Sequence, residues 1–110
     1  MATSTINKTI PTSGSGYIKL PSGVLIQWGV QSVTIDTNAT RYFKKKGSAT
    51  VTFPLEFAEA PTVVVTPMES GAWWNATCNG TTTTSINVHM AGDTTGTRSV
   101  YWIAFGKAAV

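Results

Sequence analysis

Short stretches in which apolar and polar residues alternate recur along most of the chain. The three- and four-residue apolar spacing of a helix is absent. Thr83–Met90 is the clearest, with Ile86, Val88 and Met90 on one face and Ser85, Asn87 and His89 on the other. In Ala49–Phe53, Val51 and Phe53 alternate in the same way with Thr50 and Thr52. With Thr40–Phe43 this segment flanks Lys44-Lys45-Lys46-Gly47, which predicts a hairpin with a basic loop. Val24–Val30 is β-branched and aromatic, and Gln31–Ile35 is a weaker strand after it. Val63-Val64-Val65, between Pro61 and Pro67, predicts a strand covered on both sides. Trp73–Cys78 is a further candidate, with Asn79-Gly80 a two-residue hairpin signal, and Val100–Phe105 is the last. Seven or eight short strands separated by turn residues predict an all-β antiparallel sandwich or barrel.

The last strand raises a packing problem. Tyr101, Ile103 and Phe105 point one way; Val100, Trp102 and Ala104 point the other, so both faces are apolar. One face belongs in the core. The other would expose an indole on a lone molecule, so we expect Val100, Trp102 and Ala104 to form an interface between subunits. A covering loop would solve the same problem. Composition sharpens the argument, because 12% of residues are charged where about 25% is usual. A small domain has much surface to cover. Thr, Ser, Asn and Gly cover it here, as expected of a chain that hides a second face against copies of itself. A Thr-rich monomer with a neutral surface is the alternative.

A chain of 110 residues predicts one domain. Residues 1–16 are Thr/Ser/Gly-rich and read as a flexible lead-in to a domain over 17–110. The start Met1–Thr5 lacks the basic and apolar regions of a signal peptide, and no apolar run reaches membrane-spanning length. The sequons at Asn7, Asn38, Asn75 and Asn79 then read as products of an Asn/Thr-rich composition. Cys78 is the single cysteine and reads as a small buried hydrophobe. The net charge is +3, concentrated at Arg41, Lys44, Lys45 and Lys46. It is not spread along a helix or interleaved with aromatics, which argues against a nucleic-acid surface.

Leu20-Pro21-Ser22-Gly23-Val24-Leu25-Ile26-Gln27-Trp28-Gly29 strongly resembles the opening of the C-terminal domain of many phage and prophage tail fibres of Gram-negative hosts. Thr50–Phe57 followed by Ala60-Pro61, and Tyr101–Gly106 at the end, resemble two further stretches of that family, in the same order. The resemblance covers about residues 17–107. The second and third stretches also resemble H-type lectins, six-stranded antiparallel sandwiches that trimerise and bind sugars between subunits. The resemblance implies an H-type-lectin-like β-sandwich, homotrimeric, at the distal end of a fibre. Its expected partners are a host surface glycan such as lipopolysaccharide and the upstream fibre shaft, and its expected location is the virion after synthesis in the bacterial cytoplasm. A purely structural trimerisation cap and a free-standing lectin are the alternatives, and the lectin leaves Leu20–Gly29 unexplained.

Sugar binding needs flat aromatic faces, amides and carboxylates. Trp73, Trp74 and Asn75 after a polar turn supply the first two, although a strand would bury one of the two indoles. Asn87 and His89 share the polar face of one strand, and Asp93 and Arg98 bracket the loop after it. The tryptophans are also readable as packing in the core or between subunits, His89 as a solvated or hydrogen-bonded side chain, and Asp93 with Arg98 as a loop ion pair. The basic group Arg41, Lys44, Lys45 and Lys46 suits attraction to acidic glycan, or is a solvated turn. Three copies of His89 would meet at a three-fold axis only if that face were axial. No cofactor is expected. Asp36, Glu56, Glu59, Glu69 and Asp93 all read as turn or strand-end residues, and one His and one Cys make no hydrolytic set. The expectation is adhesion without catalysis.

Overall fold

The computed structural model describes residues 7–9, 16–39, 44–68 and 74–109. In chain order the strands are β1 (Asn7–Thr9), β2 (Gly16–Lys19), β3 (Val24–Ile35), β4 (Thr37–Asn38), β5 (Lys45–Thr52), β6 (Thr62–Pro67), β7 (Asn75–Asn79), β8 (Ser85–Gly92) and β9 (Gly96–Lys107). They form two antiparallel sheets, ordered β1-β2-β3-β9-β6 and β4-β5-β8-β7. The architecture is all-β, as the alternation predicts. The chain passes repeatedly from one sheet to the other, and the first crossing is a single residue, Asp36, between β3 and β4.

The long pair β3–β9 is the spine, in register from Val24↔Lys107 to Ile35↔Gly96. Period-two alternation fixes what it buries: Leu25, Val33 and Ile35 from β3, and Val100, Trp102 and Ala104 from β9. Facing them across the sandwich are Val51 of β5 and Ile86, Val88 and Met90 of β8. Phe53 and Phe57 close one end. Phe53 meets Phe57 edge to face at 5.2 Å and lies 5.7 Å from the Trp102 ring. This corrects the expected interface set. Val100, Trp102 and Ala104 are interior, with Trp102 only 2% exposed inside one protomer. The outward residues of β9 are Tyr101, Ile103 and Phe105. The sequence established that both faces are apolar, but nothing in it said which faced the second sheet.

Gln27 is the one polar side chain among the fully buried residues described. Its Nε2 donates to the Leu55 carbonyl at 2.7 Å, and its Oε1 accepts from the Leu55 N–H at 2.8 Å. Both groups of the amide are satisfied, which is why a buried glutamine is tolerated. The pair holds the β5–β6 connection across the end of the core. Neighbouring residues of this connection are laced in by backbone bonds: Phe53 N–H to Thr84 O, Phe57 N–H to Thr83 O, and Ala58 N–H to Lys107 O.

Several local expectations shift for physical reasons. The two segments expected over 24–30 and 31–35 are one twelve-residue strand. Asn7–Thr9, inside the expected lead-in, pairs with β2 from Asn7↔Lys19 to Thr9↔Tyr17. The basic loop is not a loop: Lys45, Lys46 and Gly47 lie in β5, paired with β8, and Lys45 and Lys46 are paired on their other side by β4. An exposed strand position keeps a lysine solvated as well as a turn does. The expected first arm, 40–43, lies outside the described residues. Asn79-Gly80 does turn, with Gly80 at φ +64, but the connection runs on to Thr84. Thr82 Oγ1 accepts from the N–H groups of Thr84 and Ser85, which lengthens the turn. Val64 is not covered on both sides; β6 is an edge strand and Val64 is 53% exposed.

Replacing Gln27 by Leu keeps the volume and removes both bonds to Leu55, leaving a buried N–H and C=O without partners. We expect a loss of about 2–4 kcal/mol in urea unfolding. A loss below about 0.5 kcal/mol, the size of an ordinary surface change, would show that the clamp does not hold the connection.

Candidate functional site

The outer faces of the two sheets differ in character. On the four-stranded sheet, alternation turns Lys46, Ser48, Thr50 and Thr52 of β5 outward, with Ser85, Asn87 and His89 of β8 and Asn75, Thr77 and Asn79 of β7. Register aligns them in rows, Ser48–His89–Thr77 and Thr50–Asn87–Asn79. Two cross-strand bonds order this face. Thr50 Oγ1 donates to Asn87 Oδ1 at 3.0 Å, and His89 Nε2 pairs with Asn79 Oδ1 at 2.9 Å.

Where β3 leaves one sheet and β4 enters the other, the corner encloses an open polar cleft of about 380 Å³. It is lined by Thr34, Asp36 and Thr37 on one side and by Lys46, Gly47, Ser48 and His89 on the other. Its depth depends on a close approach of two backbones, since a Cβ on Gly47 would collide with the Thr34 carbonyl. The Asp36 N–H reaches the Lys46 carbonyl at 3.3 Å, and Asp36 Oδ1 accepts from the Thr37 hydroxyl at 3.0 Å.

The cleft gathers two of the residues expected from sequence, Lys46 and His89, and adds Thr34, Asp36, Thr37 and Ser48. In the sequence alone Asp36 reads as a turn or strand-end residue. The signal was present in its place beside β3, but only the β4–β5 register puts it opposite the lysines. Lys45 is elsewhere, its ammonium donating to Asn38 Oδ1, and Lys44 sits exposed at the bend before β5. Asn75 lies at the far edge of the polar face.

Trp74 is turned inward. Its ring packs on the core and lies so close to Gly92 that no side chain fits there, and the Arg98 guanidinium stacks 4.8 Å from the ring centroid. Arg98 Nη2 also donates to Thr94 Oγ1 at 3.3 Å. Trp74 and Arg98 therefore act together as a lid on the core, and neither is an open stacking platform. Asp93 is exposed in the β8–β9 turn. Trp73 and Arg41 lie outside the described residues. Among the described residues, no group of three or more His, Cys, Asp or Glu side chains is placed to hold a metal.

The five-stranded sheet presents an apolar outer face. Across its strands run the rows Ile26–Phe105, Trp28–Ile103–Val64 and Val30–Tyr101, with Ile18 beside Ile26. Tyr101, Ile103 and Phe105 are each at least 40% exposed. An apolar face continuous over four strands is what a docking surface looks like, not what an isolated soluble domain presents to water.

A family model described as the C-terminal domain of putative gp53-like tail fibre proteins matches residues 19–107. No curated protein matches the chain. Among solved structures, the chain resembles the R1 pyocin fibre of P. aeruginosa, with a TM-score of 0.66 at 20% identity over 91% of this chain. The R2 pyocin fibre of the same organism gives 0.64 at 21% over 92%. The chain spans only 28% and 26% of those two fibre chains. A third is the Gp54 tailspike of Acinetobacter baumannii bacteriophage AP22, solved in complex with A. baumannii capsular saccharide. It gives 0.54 at 19% identity, over 76% of this chain and 17% of that one. At these identities the likeness is one of fold.

Gly47→Ala should force β5 away from β3, because the obstruction is backbone and not a flexible side chain. We expect destabilisation of about 2 kcal/mol or more, together with changed amide shifts at Thr34, Asp36 and Lys46. Unchanged shifts and stability would mean that the corner tolerates the methyl group and that the cleft is not built by this contact.

Proposed function

We propose that the chain, which belongs to the gp53-like family of tail-fibre C-terminal domains, is the non-catalytic receptor-binding tip of a phage tail fibre. It works as a homotrimer at the end of the fibre shaft, in the virion, after synthesis in the bacterial cytoplasm, and adheres to carbohydrate on the host surface. The observation that carries this reading is the opposition of the two outer faces. One is apolar and suited to contact between protomers; the other is hydroxyl- and amide-rich and suited to contact with sugar. Turning the apolar face to the axis keeps the three copies of His89 apart, on the outside. The saccharide held by the AP22 tailspike, a protein of similar fold in part, supports the same choice of ligand class.

The placement of the carboxylates supports adhesion without hydrolysis. Asp36 lies at the sheet-crossing corner, whereas Glu56 follows the opposite end of β5 and accepts from the Thr83 hydroxyl at 3.2 Å. A glycosidase needs two carboxylates facing each other across one bond. Individual sugar contacts are weak, near 1 mM or about −4 kcal/mol, and three sites per fibre on several fibres multiply their effect.

A structural cap would need the apolar face equally but would have no use for the ordered polar face, and that difference is testable. The soluble trimer should bind host cells saturably and compete with phage adsorption. Periodate oxidation of the cell-surface glycans should abolish binding, while protease treatment should not. Adsorption that survives deletion of the domain, with no saturable binding by the free trimer, would contradict adhesion and favour the cap.

A further inference from the structure

The corner cleft has a composition that selects among sugars. We infer that it is the subsite for a saccharide carrying an anionic substituent, a carboxylate or a phosphate, with Lys46 as the charge that recognises it. This rests on the adhesive reading above and specifies its ligand. The cleft is of a size that takes small molecules, which fill pockets of roughly 300–1,000 Å³. Among the described residues no aromatic side chain lines it, and Trp74 is committed to the core, so these residues offer no platform for ring stacking, the common mode for neutral sugars. What remains is charge and hydrogen bonding.

The Lys46 ammonium has no ion-pair or hydrogen-bond partner among the described residues, in contrast to that of Lys45, which is tied to Asn38. Lys44 and Lys45 on the same short stretch add to a positive field in which Asp36 is the one carboxylate among the described residues that line the cleft. Asp36 uses Oδ1 for Thr37, which leaves Oδ2 to accept from a ligand hydroxyl. His89 spends Nε2 on Asn79, which leaves Nδ1. Ser48 lies directly opposite His89 on the neighbouring strand and can donate or accept. The cleft thus sets an ammonium that pairs with an anion beside several groups that pair with hydroxyls. An acidic sugar presents both, whereas inorganic phosphate or a neutral hexose presents one.

The test uses the full-length trimer on an array of bacterial surface oligosaccharides divided into neutral, carboxylate-bearing and phosphate-bearing members, with inorganic phosphate as a control. Binding should fall on acidic members, weaken with added salt, and drop about tenfold in Lys46→Gln, as loss of one charge-assisted hydrogen bond implies. Lys46→Arg should restore it, and Ser22→Ala, in the exposed turn between β2 and β3, should leave it unchanged. Each variant is first checked for an unaltered melting temperature and trimer mass. The two acidic arms distinguish carboxylate from phosphate. Binding confined to neutral glycans, or equal binding by Lys46→Gln, would overturn the subsite. So would failure to bind any glycan by a trimer that still adheres to host cells; failure to adhere to host cells would instead remove the adhesive reading beneath it.

Discussion

The structure turns on the pairing of β3 with β9. Twelve residue pairs in one antiparallel register commit every second side chain of both strands to the same face, and both resulting faces are apolar. The inner one, with Leu25, Val33, Val100, Trp102 and Ala104, is closed by the second sheet. The outer one carries Ile26, Trp28, Ile103 and Phe105, and among the described residues Ile103 and Phe105 are left exposed. Burying apolar surface is worth about 25 cal/mol per Å², so a face spread over four strands is a strong pull towards assembly. The low charge of the whole chain, 12% of residues, fits an assembly in which less of each protomer meets water.

That spine also positions the polar features. Gln27 sits on the inner side of β3 and uses its amide to fix Leu55, which ties the β5–β6 connection to the core. At its far end β3 runs through Asp36 directly into the other sheet, where Gly47 permits the close crossing that forms the cleft. Trp74 and Arg98 close the end of the core through stacking. Scaffold and cleft are therefore not separable: residues of the opening motif stabilise the spine whose end shapes the candidate binding surface.

Strand identity was legible in the sequence wherever alternation was strict, as in Thr83–Met90. It failed where sequence reasoning assigned loops by residue type. Lys45 and Lys46 look like turn residues, yet their backbone is paired on both sides, and side-chain polarity carries no information about that. The double-sided character of β9 was readable, but its orientation was not, because Trp102 and Ile103 are both apolar and only the packing against Phe53 decides between them. The shared outward face of Asn87 and His89 was readable from period two alone. The meeting of Asp36 and Ser48 was not, since it depends on strands far apart in sequence. Trp74 was misleading for an ordinary reason: an indole suited to a sugar is equally suited to a core.

Assembly of the chain would conceal the outer face of the five-stranded sheet between copies of itself. Sedimentation equilibrium of the purified chain at micromolar concentration measures this directly. We predict a single species of three protomer masses that Ile103→Glu converts to smaller or aggregated forms. A soluble, cooperatively folded species of one protomer mass in the unmutated protein would contradict it.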